Sequence, residues 1–405
     1  MKPFTTRENC RLCKGQLTVV LELPATPPAN AYLVAKPVEG TSPTTFPLTV
    51  MECRDCGHAQ LREVVDPKLL FTNYKYASGT SASFRKHFED LSLEIWNAVF
   101  DSSMQRQPRV LEVGSNDGTL LRALGAKHIT AVGIDPSTEL AESGSLATVT
   151  GFFDAATLKK AEAMADGQFD LLAANNVFAH IDDLEGVFKL AHKAGIGTVV
   201  FEVQYVEDLL NNGAVDLCYH EHLDYHGVGP LVAGLPAWGY CVDQVDHITT
   251  HGGSIRVWAS RRDSRDMSNL LHREGRHAVR DPVPGPWYAL ARSMLSCKQQ
   301  LAAALGEYKR VACYGAPAKL TTLAAVLLED IHNIAYVVDD SPWKQHLWTP
   351  NGRWEIRPAT ALTTDPPDAV LVSAWNFFDE IHTKLRASGF KGAIIRPFPD
   401  VKLYL

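Results

Sequence analysis

The sequence predicts an α/β protein with a central doubly wound, Rossmann-like sheet, a small N-terminal zinc-binding domain and a C-terminal Rossmann-like α/β domain. Three observations predict it. From residue 109 to 204, short apolar runs alternate with helical patterns, as strand–helix–strand units of a parallel sheet do. The alternation resumes from Arg310 to Arg396. Ahead of both stand two C-x-x-C pairs, Cys10/Cys13 and Cys53/Cys56. The divisions fall at 1–66, 67–285 and 286–405, and a chain of 405 residues is long enough for two or three separate cores.

Composition excludes several classes. The chain is 46% hydrophobic and 21% charged, as soluble globular proteins are. Its net charge of −7, with no long basic run, speaks against a nucleic-acid partner held by phosphate neutralisation. No signal-peptide pattern and no bilayer-length apolar segment is present, so a cytoplasmic protein without a membrane partner is expected. In that reducing compartment the paired cysteines are not expected to form disulfides.

The elements follow in order. Two C-x-x-C knuckles about forty residues apart give four thiolates, the donor set of a closed structural zinc site. Redox pairs or unrelated thiols are the other readings. The strand-like pieces between them, Leu17 to Leu23 and Phe46 to Met51, are too few for a core. Metal would then supply on the order of 10 kcal/mol or more of the folding energy. Next, Tyr74-Lys-Tyr76-Ala-Ser78 precedes a helical stretch through Phe88, Leu91 and Trp96. It reads as linker packing or as a lid over a substrate.

The centre of the chain is Arg109-Val-Leu-Glu112-Val-Gly114-Ser-Asn116-Asp-Gly118-Thr-Leu-Leu121. A buried strand runs into a glycine turn and a helix N-terminus, which makes a nucleotide-binding crevice. The dinucleotide pattern G-x-G-x-x-G is not met, because Asn116 stands where its second glycine would be. A ligand without phosphate at this turn fits better, and S-adenosylmethionine (SAM) is one. Thr130 to Asp135 is a second strand ending in an acid, placed to accept bonds from ribose hydroxyls. Any doubly wound domain with glycine turns is the alternative. Asn175, Asn176 and His180 follow the strand that ends at Ala174, where such sheets bind ligands. Helix capping and a satisfied core histidine are their plainer uses.

The densest chemistry lies in Asp216-Leu-Cys-Tyr219-His220-Glu221-His222-Leu-Asp224-Tyr225-His226. The zinc-protease pattern H-E-x-x-H is absent. A histidine beside a glutamate, near its ordinary pKa of about 6.5, suits a general base. A solvated polar loop and a second metal site are the competing readings. His251-Gly-Gly-Ser254 reads as a hairpin turn, or as backbone pressed against a ligand. Pro282-Val-Pro-Gly-Pro286 marks a boundary. Beyond it, strands at Arg310 to Tyr314, Ile334 to Val338, Ala369 to Ser373 and Ala393 to Arg396 build the last domain. Lys319 there stands near a phosphate, or the domain is a structural cap.

Taken together, the sequence resembles the SAM-dependent sugar C-methyltransferases that act on nucleotide-linked 4-ketosugars. The resemblance covers essentially the whole chain. It rests on the two knuckles, Tyr74-Lys-Tyr76-Ala-Ser78-Gly, Glu112-Val-Gly114-Ser-Asn-Asp-Gly118, Asn176-Val-Phe-Ala-His180, Tyr219-His-Glu-His222 with Tyr225, His251-Gly-Gly-Ser-Ile-Arg, Gly315-Ala-Pro-Ala-Lys319 and Ala374-Trp-Asn-Phe377. It implies a zinc module, a central SAM-methyltransferase domain and a C-terminal domain that shares the sugar nucleotide with it. The implied catalytic residues are Tyr76, His180, Tyr219, Glu221 and His222, with His222 as base; from the chemistry, Tyr76, Tyr219 and His180 are expected to donate to the enolate oxygen, and Glu221 to orient His222 or bind sugar hydroxyls. Cofactor contacts fall to Glu112, Gly114, Asn116, Gly118, Asp135, Asn175, Asn176 and Tyr74. Substrate contacts fall to Ser78, Lys319, Tyr225 and His251, and zinc to Cys10, Cys13, Cys53 and Cys56. One departure is Thr349-Pro-Asn-Gly352-Arg, where the family carries a Pro-Gly-Thr-type turn. The expected activity is methylation at carbon 3 of a nucleoside-diphosphate 4-keto-deoxysugar by a monomer. Methylation at carbon 5, transfer to oxygen, nitrogen or a non-sugar ketone, and a non-catalytic zinc-ribbon scaffold are the alternatives.

Overall fold

A computed structural model of the chain describes residues 3–38, 40–71, 82–100, 106–137, 146–261 and 285–405, without the side chains of Ala82, Ser83 and His251. Tyr74, Tyr76 and Ser78 lie outside the described residues.

The N-terminal segment forms β1 (Phe4–Thr6), β2 (Leu17–Thr26), β3 (Phe46–Cys53), β4 (Ala59–Leu61) and β5 (Glu63–Val65). β2, β3 and β4 pair antiparallel, and β1 pairs with β5. The segment's own core is small: Phe46, Val65 and Leu70 are buried together, with Phe4 and Phe71 against them. Leu48, Val50 and Leu61 are buried in one cluster with Leu217, Tyr225, Trp287, Leu323 and Val337.

The middle of the chain supplies β6 (Arg109–Val113), β7 (Thr130–Asp135), β8 (Thr148–Thr150), β9 (Leu171–Asn175) and β10 (Thr198–Gln204). These five run parallel, and the middles of β6, β7, β9 and β10 are mainly apolar and buried, as in strands covered on both faces, with Glu112 and Glu202 as buried exceptions. The chain then leaves the sheet. β11 (Asp224–Tyr225) crosses to the N-terminal module and pairs antiparallel with β4. A hairpin of β12 (Cys241–Ile248) and β13 (Ser254–Ser260) returns to complete the order β8-β7-β6-β9-β10-β13-β12, with β13 antiparallel to β10. The His251-Gly-Gly turn is thus the hairpin loop. Its glycines let the loop press close: a Cβ on Gly253 would meet Asp208 Oδ2 at 2.1 Å, and one on Gly252 the Trp375 ring at 2.6 Å.

A helix, Gly285–Gly306, leads to the last sheet. Its strands are β14 (Val311–Tyr314), β15 (Ile334–Val338), β16 (Ile356–Arg357), β17 (Ala369–Val372), β18 (Ala393–Arg396) and β19 (Lys402–Tyr404). The order is β16-β15-β14-β17-β18-β19, all parallel except β19.

The two doubly wound sheets repeat one local design. After β6, Gly114 N–H donates to Ile134 O at 2.8 Å; after β14, Gly315 N–H donates to Val338 O at 2.7 Å. Asp135 follows Ile134, and Asp339 follows Val338. Asp135 accepts from Asn116 N–H and Ser137 N–H, Asp339 from Ala316 N–H and Ser341 N–H, at 2.6–2.8 Å. Each acid therefore ties the end of its sheet's second strand to the turn after the first. In both sheets strand order reverses at this point, so each has a crevice beside its carboxyl ends.

Candidate active site

Both crevices open into one cavity of about 890 Å³. Its walls include Gly114, Asn116, Asp135, Asn175, Asn176 and His180 on one side. Gly315, Lys319, Asp339, Lys344 and Asn376 stand on the other, with Tyr219, His222 and Asn30 between.

The central-sheet end fits a ligand pressed onto backbone. Gly114 and Gly118 both have φ 73°, and a Cβ on Gly114 would lie 2.3 Å from Val177 Cγ2. Glycine alone occupies that conformation without strain. Asn116 (φ 51°) and Asn176 (φ 55°) share the left-handed region. Around the turn, Glu112 Oε2, Ser115 Oγ, Ser137 Oγ and Asn176 Oδ1 are buried and make no hydrogen bond within the protein. Buried polar groups normally have partners, so such a cluster is what a polar ligand or bound water would satisfy. No side chain caps the short helical turn Phe178–His180, so capping is not the use of Asn175 or Asn176. Glu112 sits behind the loop, off the main cavity, where burial and the nearby Asp135 and Asp117 push its carboxyl well up.

The cluster 216–226 divides three ways. His220 turns to the N-terminal module, donating from Nε2 to Pro47 O at 2.9 Å. Tyr225 and His226 turn to the buried side: Tyr225 stacks edge-on against Trp287, and His226 lies beside His58. Only Tyr219, His222 and Leu217 of this stretch line the cavity. His222 Nδ1 must carry the proton, since it donates to Leu217 O at 2.8 Å. That leaves the Nε2 lone pair, which accepts from the Tyr219 hydroxyl at 2.7 Å. The imidazole is therefore held in one tautomer with its basic atom at the cavity wall.

His180 departs from expectation. Its Nδ1 donates to Glu221 O at 2.5 Å, and burial pulls its pKa to about 4. A neutral ring protonated on Nδ1 offers a lone pair at Nε2, so it accepts and does not donate. Glu221 is also not at the wall. Its two oxygens each accept from Asn30 Nδ2 at 2.8 Å, and Asn30 stands between it and the cavity. Burial pushes the Glu221 carboxyl to about 7 against those two bonds. Tyr225 does not reach the cavity, and its burial among apolar groups pushes its hydroxyl well above 10.

At the C-terminal crevice, Lys319 is buried, with Nζ donating to Asn376 Oδ1 at 2.8 Å and lying 3.9 Å from the Trp375 ring centre. Burial lowers it to about 8 while the neighbouring Asp216 acts in the other direction. Lys344 adds a second buried ammonium, bonded to Ala316 O at 3.0 Å and 3.7 Å from Asp339. The variant turn at Thr349–Arg353 does not line the cavity. Gly352 packs on Pro37, and Arg353 donates to the carbonyls of Leu328 and Ile331.

Sequence reasoning missed Asn30, Lys344, Asp182 and Asn376 at this site. Asp339 and Asp340 had a signal, two acids ending a strand. Asn30 had none, since it follows a proline-rich stretch and meets Glu221 only through the fold.

The four knuckle cysteines gather as expected, with all four sulfurs within 4.8 Å of one another. Cys10 and Cys56 sulfurs are 3.7 Å apart, Cys13 and Cys53 3.4 Å. A tetrahedral zinc with sulfurs at about 2.3 Å would place them about 3.8 Å apart, so the set fits that ion. No other group of three or more metal-ligating side chains occurs among the described residues.

A doubly wound sheet ordered in this way, with its antiparallel strand next to the outermost one and a glycine turn tied to an acid at the end of the second strand, defines a SAM-dependent methyltransferase, and the four gathered cysteines give it a structural zinc site. The comparisons with known proteins agree and narrow the class. Family models match residues 10–71 as a putative zinc binding domain, 83–263 as a methyltransferase domain and 249–399 as a C-methyltransferase C-terminal domain. The three matches follow one another along the chain as a zinc-binding, a methyltransferase and a C-methyltransferase C-terminal part. C-methyltransferase NovU from Streptomyces niveus is 28% identical over 413 residues, covering 98% of this chain and 96% of that protein. Among solved structures, magnesium protoporphyrin IX methyltransferase from Synechocystis PCC 6803 with bound SAH is 12% identical. It covers 44% of this chain and 83% of its own, with a TM-score of 0.34. A SAM-dependent methyltransferase from Mesorhizobium loti is 14% identical over 42% of this chain and 96% of its own, with a TM-score of 0.32. No helix of the described residues is long and apolar enough to cross a membrane.

Proposed function

We propose that the enzyme methylates a carbon next to the ketone of a nucleoside-diphosphate 4-keto-deoxysugar, carbon 3 in preference to carbon 5, in the assembly of a deoxysugar-containing natural product. The observation that carries this reading is the Tyr219–His222 pair at the wall of a cavity formed by two doubly wound crevices. Bound SAM supplies an electrophilic methyl group on a sulfonium. Carbon becomes a nucleophile toward it only once a neighbouring C–H is ionised, and a ketone makes that C–H acidic. His222 Nε2 takes the α-proton, while the carbonyl of Leu217 holds Nδ1–H and stabilises the imidazolium that results. The Tyr219 hydroxyl leaves Nε2 for the ketone oxygen and donates to the developing enolate, where a placed donor counts most. His180 accepts from a sugar hydroxyl through Nε2. Glu112, Gly114, Asn116, Gly118, Asp135, Asn175 and Asn176 frame the SAM end. Lys319 and Lys344 face the diphosphate, and Asp339 takes the place at the second crevice that Asp135 has at the first.

The test is mass spectrometry of a panel of nucleotide-linked 4-ketosugars incubated with SAM in deuterium oxide. The reading requires a mass gain of one methyl on carbon, with exchange of the α-proton in the substrate pool. Methyl transfer without exchange, or to oxygen or nitrogen only, overturns it.

A further inference from the structure

Between Cys10 and Cys13 stands Arg11, one of the largest fully buried side chains in the molecule. Its Nη1 donates to the carbonyls of Leu61 at 2.9 Å and Leu223 at 3.1 Å, and its Nε to Asp182 Oδ1 at 3.0 Å. Asp224 Oδ1 lies 3.8 Å from Nη1 and also meets His58 Nε2 at 2.7 Å.

Each anchor bears on the active site. Leu223 follows His222, and its N–H donates to the carbonyl of Ala179, the residue before His180, at 2.7 Å. One residue thus pins the backbones of both histidines, and Arg11 holds its other end. Asp182 lines the cavity two residues beyond His180 and is gripped from the same module by Arg7 at 2.6–2.8 Å. Burial alone would raise the Asp182 carboxyl, but Arg7 and Arg11 hold it below the usual carboxylate range. A buried ion pair is a poor source of stability, and a well-packed apolar side chain often serves as well or better. What an apolar side chain lacks is direction.

We propose that Arg11 is a positioning residue: through the Leu223 carbonyl and Asp182 it orients His222 and His180, so the zinc knuckle shapes chemistry it never touches. The proposal rests on the reading of His222 as the base.

The experiment compares R11M and R11K with wild type as full-length, zinc-loaded chains. Zinc content, SAM affinity, kcat and KM are measured, together with the ¹⁵N-histidine NMR spectrum of the SAM-bound enzyme. The His222 signal is assigned by its loss in H222N. R11M should keep zinc and SAM affinity, leave KM unchanged and lose kcat roughly 10- to 100-fold, the scale of a small misplacement of reacting groups. R11K should fall between. In R11M the His222 signal should shift from a fixed Nδ1–H tautomer toward a mixture. An unchanged His222 signal with wild-type kcat, or a loss of kcat that only tracks lost zinc, overturns the proposal. If R11M fails to fold, D182N removes one anchor without touching the knuckle, and an unchanged kcat and signal there overturn it equally. The NMR arm needs no sugar substrate, so failure of the ketosugar reading and failure of this one are distinguishable.

Discussion

At the residue scale the candidate site is set by which ring nitrogen holds a proton. Two histidines 5.1 Å apart between ring centres each spend Nδ1–H on a backbone carbonyl, yet one faces a tyrosine hydroxyl and the other does not. A general base typically contributes about 10²–10⁴-fold in rate, so His222→Asn should lose that much in kcat with SAM affinity intact by calorimetry. Glu221 provides a separate prediction. Its carboxyl lies near 7 in the fold against an ordinary 4.5, so the native chain keeps a proton there that the unfolded chain has released. Stability therefore declines as pH rises from about 4.5 toward 7, and the full loss is present above that window. Glu221→Gln should be indifferent at pH 4.5 and more stable than wild type at pH 8 by on the order of 1–3 kcal/mol, read from denaturation midpoints.

The next scale is the element, a strand with the turn that follows it. Gly114 is held at φ 73° with Val177 against the place a side chain would occupy. Gly114→Ala should cost roughly 2–5 kcal/mol through the left-handed backbone and the overlap together, and weaken SAM binding in the same titration. This turn was legible in the sequence because its signal is local: an apolar run, glycines at two places and a helix start. Strands β6, β7, β9, β14, β15, β17 and β18 were legible for the same reason. β11 was not. It is two residues long, and only the edge of β4 makes it a strand. The chemistry of 216–226 was visible as density, but its three-way division was not, because neighbouring residues there face the N-terminal module, the cavity and the core. Asn30 lies 191 residues from the carboxylate it holds, and no periodicity records such a contact.

At the scale of the whole molecule, two crevices of one design share a cavity, and the proposed function gives each its own ligand. Lys319→Met removes an ammonium from the second crevice only. Charge-assisted hydrogen bonds contribute about 1.5–3 kcal/mol, so KM for the sugar nucleotide should rise roughly 10- to 100-fold. Binding of SAM, measured separately, should not change. That the pocket lies between domains follows from carboxyl ends that face each other, and a list of strands does not contain it.

The pairing of β4 with β11 has a consequence for how the chain is made. The partner of that edge emerges from the ribosome roughly 160 residues after the edge itself, at about 5–20 residues per second. For many seconds the β4 edge of the nascent sheet has no strand to pair with, and an unpaired edge is an invitation to stick to a neighbouring copy. Arrival of Asp224 and Tyr225, just past the turn that carries Tyr219 and His222, covers that edge, so one short segment both caps the N-terminal sheet and furnishes the middle of the cavity.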